Sequence, residues 1–164
     1  MEKNIKYPYL PKNRAIKYVP ENNKFMKIAK ETAINKSTDQ MQPTGAVIVK
    51  NGEIISKGAN QSKLKSKRLR NIHKNGLCVR RILKIPSGKS YWLCPGCSTY
   101  EQHAENQAVI DAKNNKKDTI ESDLYLWGHW WCCEPCWNSM IKAGIENVYL
   151  MEGSETIFNK NHKK

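Results

Sequence analysis

Two short motifs constrain this chain more than anything else in it: His103-Ala104-Glu105 and Cys133-Glu134-Pro135-Cys136. Each opens a run of good helix formers, Ala104 to Lys113 after the first and Pro135 to Ala143 in the second. If one imidazole and two thiols serve one ion, both helix N-termini must converge on it. The positive ends of those helices favour bound thiolate and other anions. Taken singly the motifs say little. A histidine at a helix start is ordinary, and a C-x-x-C pair is also a redox pair or half of a structural metal site. Together they predict one centre held by His103, Cys133 and Cys136.

One imidazole and two thiolates suit a tetrahedral zinc ion and leave its fourth position for water. Glu105 follows two residues after the histidine, near enough to carry protons without being a ligand. Zinc lowers the pKa of bound water to ~7, and a carboxylate beside it can pass the proton to a ring and a leaving amine. Zinc deaminases attack C4 of cytosine or C6 of adenine in this way.

Composition narrows the setting. At 164 residues the chain suits one domain. No apolar run reaches the ~18 residues of a membrane span, and the basic N-terminus has no apolar h-region, so a cytoplasmic protein is expected. Six cysteines in such a chain point to metal, not disulfides. The net charge of +13 is concentrated: from Ile54 to Tyr100 there is no Asp or Glu, while basic residues run from Lys57 to Lys89. Such a field binds nucleic acid, attracts a nucleotide phosphate, or simply solvates a surface insertion. Charge alone does not choose among them.

In chain order, residues 1–20 hold Pro8, Pro11 and Pro20 and read as an extended N-terminal arm, ordered only if Tyr7, Tyr9 and Tyr18 dock. Residues 21–164 form the domain. Helical spacing of Phe25, Ile28, Ala29 and Ala33 predicts a helix to about Lys36, capped by Asn22 or Asn23. After a polar loop, Thr44 to Lys50 and Glu53 to Ala59 read as a hairpin about Asn51-Gly52. Asn60 ends it, either a turn residue or a contact for a sugar hydroxyl.

The stretch 61–102 is too long for a plain loop and reads as an insertion. It carries His73, Cys78, Cys94 and Cys97, with Cys94-Pro95-Gly96-Cys97 shaped like a zinc knuckle. A second, structural zinc is feasible there; the plainer alternative is buried, unligated thiols. Beyond it come a helix (103–114), a strand (124–127), a helix closed by Gly144, and a strand (147–151). A short frayed tail ends His162-Lys163-Lys164. Trp127, Trp130 and Trp131 crowd the approach to the cysteine pair, either as walls of a base pocket or as core and rim aromatics.

Further motifs give the chain a resemblance to the cytidine and deoxycytidylate deaminase superfamily, over roughly residues 22 to 151. Ser37-Thr38-Asp39 and Thr44-Gly45-Ala46-Val47-Ile48-Val49 look like the S-x-D loop and V-G-A-V-I-V strand of the deoxycytidylate branch. Cys78-Val79-Arg80-Arg81, Ile85-Pro86-Ser87-Gly88 and Cys94 are similar to that branch's insertion, and Cys136 to Ile145 to the helix after its second zinc cysteine. The resemblance implies a three-layer α/β/α sandwich around a mixed sheet. It implies a catalytic zinc on His103, Cys133 and Cys136, and Glu105 as proton shuttle. Asn60 would meet the substrate sugar and the Ala104 backbone the pyrimidine, with Ser37, Asp39 and Tyr149 around the nucleotide. A homo-oligomer is also implied.

The chain departs from the family at Cys132, where the family has proline, although the x-x spacing to Cys136 favours Cys133 as ligand. A fifth strand is not evident in the sequence. The reading is hydrolytic deamination of a cytosine nucleotide, dCMP to dUMP. Its rivals are a deaminase of single-stranded DNA or RNA and a zinc-binding module without catalysis.

Overall fold

The computed structural model describes residues 8–86 and 89–159. Tyr7, Ser87-Gly88 and the His162-Lys164 tail lie outside the described residues. Five strands form one mixed sheet: β1 (Ile16–Val19), β2 (Gly45–Lys50), β3 (Glu53–Ala59), β4 (Ser122–Trp127) and β5 (Ile145–Met151), in the order β1-β5-β4-β2-β3. The β1–β5 and β5–β4 pairs are parallel; β2 runs antiparallel to both β4 and β3. The helices are α1 (Lys24–Lys36), α2 (Lys67–Lys74), α3 (Val79–Ile82), α4 (Ala104–Asn114), α5 (Glu134–Lys142) and α6 (Ser154–Phe158).

Alternation along the central strands builds two cores, one on each face. Ala46, Ile48, Leu124, Leu126, Val148 and Leu150 point to the side covered by α4 and α5. Val47, Val49, Tyr125 and Met151 point to the other, where Met26 and Ala29 of α1 pack with Phe158 of α6. This is the three-layer α/β/α sandwich that the sequence implied.

Two glycines set how closely the helices approach. A Cβ at Gly45 would collide with Ala29 O and Ala33 N of α1. One at Gly58 would collide with Ala104 O and Ala108 N of α4, and the neighbouring Ser56 hydroxyl donates to Ala108 O. The first turn of α4 is thus seated directly on β3. The hairpin turn has Asn51 and Gly52 both at positive φ (52° and 78°), as a tight two-residue connection requires.

The N-terminal segment is more than an arm. Ile16–Val19 is the fifth strand, with Ile16 opposite Val148 and Val19 opposite Met151. Arg14 fastens the chain just before it by donating from Nη1 to Glu146 O at 2.9 Å. Tyr9 packs on the α4/α5 core, whereas Tyr18 is exposed. The chain after β5 differs from expectation as well: Ser154–Phe158 is helical and returns Phe158 to the α1 side.

Candidate active site

Register places the site at one end of the sheet. Gly45 lies opposite both Ala59 and Trp127, so the start of β2 and the ends of β3 and β4 sit together. Asn60 follows β3 there, and the 128–133 segment leaves β4 toward α5. His103 occupies the N-cap position of α4 and Cys133 that of α5, and neither side chain makes a capping hydrogen bond. Both side chains point instead at each other and at Cys136.

The Cys133 and Cys136 sulfurs each lie 3.5 Å from His103 Nδ1. All three donor atoms fall within 4.8 Å of one another. Two thiols and an imidazole at that spacing fit a zinc ion, and no carboxylate belongs to the group. The hydrogen bond from Cys136 holds the Cys133 thiol at about 5, with His103 contributing, and raises Cys136 in turn. Burial works against a charged His103, but its bond to Cys133 and the Glu105 charge outweigh this and raise it above the usual histidine range. Asn106 of α4 donates to Cys136 Sγ at 3.8 Å, an orienting contact that the sequence reading did not identify.

Glu105 is buried, and burial pushes its carboxyl above the usual range. Burial, with the Glu105 charge nearby, raises the Cys132 thiol well above the usual range. The two adjacent cysteines thus separate: Cys133 joins the metal group and Cys132 does not.

A cavity of about 680 Å³ opens onto this group and is lined by His103, Ala104, Glu105 and Cys133. Asp39 and Asn60 line it as well. Asn60 Oδ1 accepts from the Ser37 hydroxyl (2.6 Å) and the Thr44 amide (2.9 Å), while Nδ2 donates to Gln42 O (3.0 Å). Asp39 accepts from the Ser98 hydroxyl at 3.0 Å, joining the loop after α1 to the insertion. Tyr149 is on the opposite face, stacked on Tyr125 at 4.5 Å, and is not among the cavity residues.

The tryptophans divide. Trp130 and Trp131 line the cavity and pack edge to face at 6.0 Å, with His129 stacked on Trp130. Trp127 points to the other face, against Phe158. The insertion supplies Arg80, Arg81, Lys84 and Tyr91 to the cavity, and α6 supplies Phe158. Only the basic composition of the insertion hinted at the first three. The Tyr91 ring meets the His103 ring edge-on at 5.4 Å.

Residues 20–152 match the model of the cytidine and deoxycytidylate deaminase zinc-binding region. The chain belongs to this family. On that membership it is a hydrolytic deaminase that works with zinc, and the His103–Cys133–Cys136 group fits that ion. No curated protein sequence matches the chain. Among solved structures, a cyanophage S-TIM5 dCMP deaminase in complex with dCMP and dUMP is similar at 22% identity, covering 81% of this chain and 84% of that one, with a TM-score of 0.48. A Bacillus subtilis guanine deaminase is similar at 21%, covering 81% and 66%, with a TM-score of 0.45. A Thermotoga maritima diaminohydroxyphosphoribosylaminopyrimidine deaminase/5-amino-6-(5-phosphoribosylamino)uracil reductase is similar at 23% identity and a TM-score of 0.44; the match covers 77% of this chain but only 28% of that protein. Among the described residues, no helix is long and apolar enough to cross a membrane.

Proposed function

We propose that this deaminase acts on a cytosine nucleotide, converting dCMP and water to dUMP and ammonia. One observation carries the reading. A single cavity is lined by His103, Cys133 and Glu105, by the aromatic residues Trp130 and Trp131, and by the cations Arg81 and Lys84 of the insertion. Aromatic faces suit a pyrimidine, and the cations suit a 5′-phosphate.

Zinc, when bound, supplies a water that is nucleophilic at neutral pH. The Glu105 carboxylate would accept one proton from the attacking water and pass it to the ring nitrogen, then carry the second proton, from the hydroxyl left on the ring carbon, to the departing amine. Burial raises its proton affinity, which suits a group that must both take and give a proton. The Ala104 N–H, in the first turn of α4 where amides lack helical partners, would hold the pyrimidine. Asn60 has two amide hydrogens; one goes to Gln42 O, and the other serves a sugar hydroxyl. Ser37 and Asp39 act behind it, as partners of Asn60 and Ser98. The six cysteines are free of disulfides, which supports a reducing compartment such as the cytoplasm.

The test is ammonia release from dCMP, CMP, deoxycytidine, dCTP and a cytosine-bearing single strand, with Glu105→Gln as control. Turnover of dCMP at least about tenfold above deoxycytidine supports the phosphate reading, since tenfold corresponds to ~1.4 kcal/mol. Equal turnover of the two removes it. Turnover confined to the oligonucleotide replaces it with a nucleic-acid substrate, for which the basic insertion would supply backbone contacts.

A further inference from the structure

The insertion between β3 and α4 is nearly without a hydrophobic core. Its buried apolar residues are Cys78, Cys94 and Cys97, with Tyr91 packed beside them, while Leu69, Leu77, Ile82, Leu83 and Trp92 face outward. Folded backbone with its large apolar side chains outside needs another source of cohesion.

His73 supplies the fourth member of the cluster. The four side chains are buried, and their donor atoms all lie within 4.8 Å of one another. Cys78 Sγ is 3.6 Å from Cys97 Sγ, Cys97 Sγ is 3.7 Å from His73 Nε2, and Cys94 Sγ is 4.0 Å from Cys78 Sγ. A disulfide needs ~2.05 Å, so these are not bonded pairs. A tetrahedron with metal–sulfur bonds of ~2.3 Å has edges of ~3.8 Å, the spacing seen here. The backbone is shaped to the same end. Cys97 N–H donates to Cys94 O at 3.0 Å to close the knuckle, and a Cβ on Gly96 would collide with the His73 ring.

We propose that His73, Cys78, Cys94 and Cys97 form a second, closed zinc site, and that this site positions the wall of the nucleotide cavity through Arg80 and Tyr91. Arg80 is buried and donates from Nη1 to Cys97 Sγ at 3.8 Å. Its Nε donates to Lys89 O (3.0 Å) and its Nη2 to Pro86 O (2.8 Å), so the guanidinium is held from three sides. It lies over the Tyr91 ring at 4.0 Å, and Tyr91 meets His103 edge-on. A metal-bound thiolate keeps the charge that Arg80 faces, and Arg80 in turn fixes Tyr91. The site itself stands apart from the substrate assignment; its effect on turnover rests on the dCMP reading.

The experiment begins with wild-type full-length protein, so no variant has to fold. Native mass spectrometry is expected to find two zinc ions per chain, and one ion per chain would overturn the site. Cobalt substitution adds an independent readout, because thiolate-to-cobalt charge transfer reports sulfur ligands. Cys94→Ser should lose the cobalt bands of one site, keep those of the other, and open the insertion to protease about tenfold faster. Bands unchanged in Cys94→Ser would overturn the proposal. For positioning, Tyr91→Leu and Arg80→Met should raise KM for dCMP about tenfold, with both zinc ions retained. Unchanged KM in both would overturn the link to the cavity while leaving zinc counts to judge the site. Absence of turnover on any nucleotide would fall on the substrate reading, because metal content and cobalt spectra do not depend on it.

Discussion

Cys132 is buried within electrostatic reach of the Glu105 carboxylate, although its neighbour Cys133 belongs to the metal group. Consecutive residues point to different parts of one site because the chain is extended as it enters α5, with Cys133 at φ −75° and ψ 160°. Both thiols are buried, so burial does not distinguish them. Geometry does.

That geometry separates the two cysteines by experiment. Cys133→Ser should lose the metal held with His103 and Cys136, and with it the activity. Cys132→Ala should keep that metal and lower kcat far less than Cys133→Ser does, since Cys132 is not one of the three donors gathered at the ion. Metal analysis of the two variants beside their kcat decides. Loss of the His103 site metal from Cys132→Ala would show that the wrong cysteine has been placed at the ion.

Glu105→Gln preserves shape and burial but removes the group that accepts a proton. General acid–base catalysis contributes about 10²–10⁴ in rate, so kcat should fall by that much. Zinc content and melting temperature should stay near wild type. A variant retaining a tenth or more of wild-type turnover would take Glu105 out of the proton path.

Gly58 sets the seat of α4 on β3, and α4 carries Ala104 and Glu105 in its first turn. Gly58→Ala forces a methyl against Ala104 O and Ala108 N, both backbone atoms that cannot rotate away. Overpacking of this kind costs about 1–3 kcal/mol. In a chain of this size each kcal/mol lowers Tm by about 2–4 °C. A thermal melt of the zinc-loaded variant should show that loss together with reduced kcat. An unchanged Tm would mean that α4 stands further from the sheet than described.

Much of this was legible in the sequence because it is local. The Asn51-Gly52 turn, the periodicity of α1 with Asn23 as cap, and the positions of β2 and β3 follow from neighbouring residues. The His103–Cys133–Cys136 group was legible from ligand chemistry and spacing, and His73 with the three insertion cysteines assembles as that chemistry anticipated. What the sequence hid depends on distant partners. Ile16–Val19 is a four-residue edge strand with an exposed Tyr18, and only its pairing with β5 makes it a strand. Tyr149 suggested a nucleotide contact through resemblance, but strand alternation sends it to the far face, onto Tyr125. Cavity residues Arg80 and Tyr91 come from an insertion without apolar periodicity, where no pattern reveals which side faces inward.

Phe158 was hidden for the same reason, in a short helix after the last strand. Its ring meets Trp127 edge-on at 5.2 Å, and it also lines the cavity. The tail therefore contributes to both the α1-side core and the lining of the cavity. Aromatic pairs of this geometry contribute about 0.5–1.5 kcal/mol beyond their burial. A double-mutant cycle with Phe158→Leu and Trp127→Leu should return a coupling of about that size in denaturant unfolding. Phe158→Leu alone should raise KM for dCMP severalfold with metal content unchanged, since the residue touches the cavity but not the metal group. Zero coupling would detach α6 from the sheet, and a KM equal to wild type would leave the helix a purely structural closure of the α1 face.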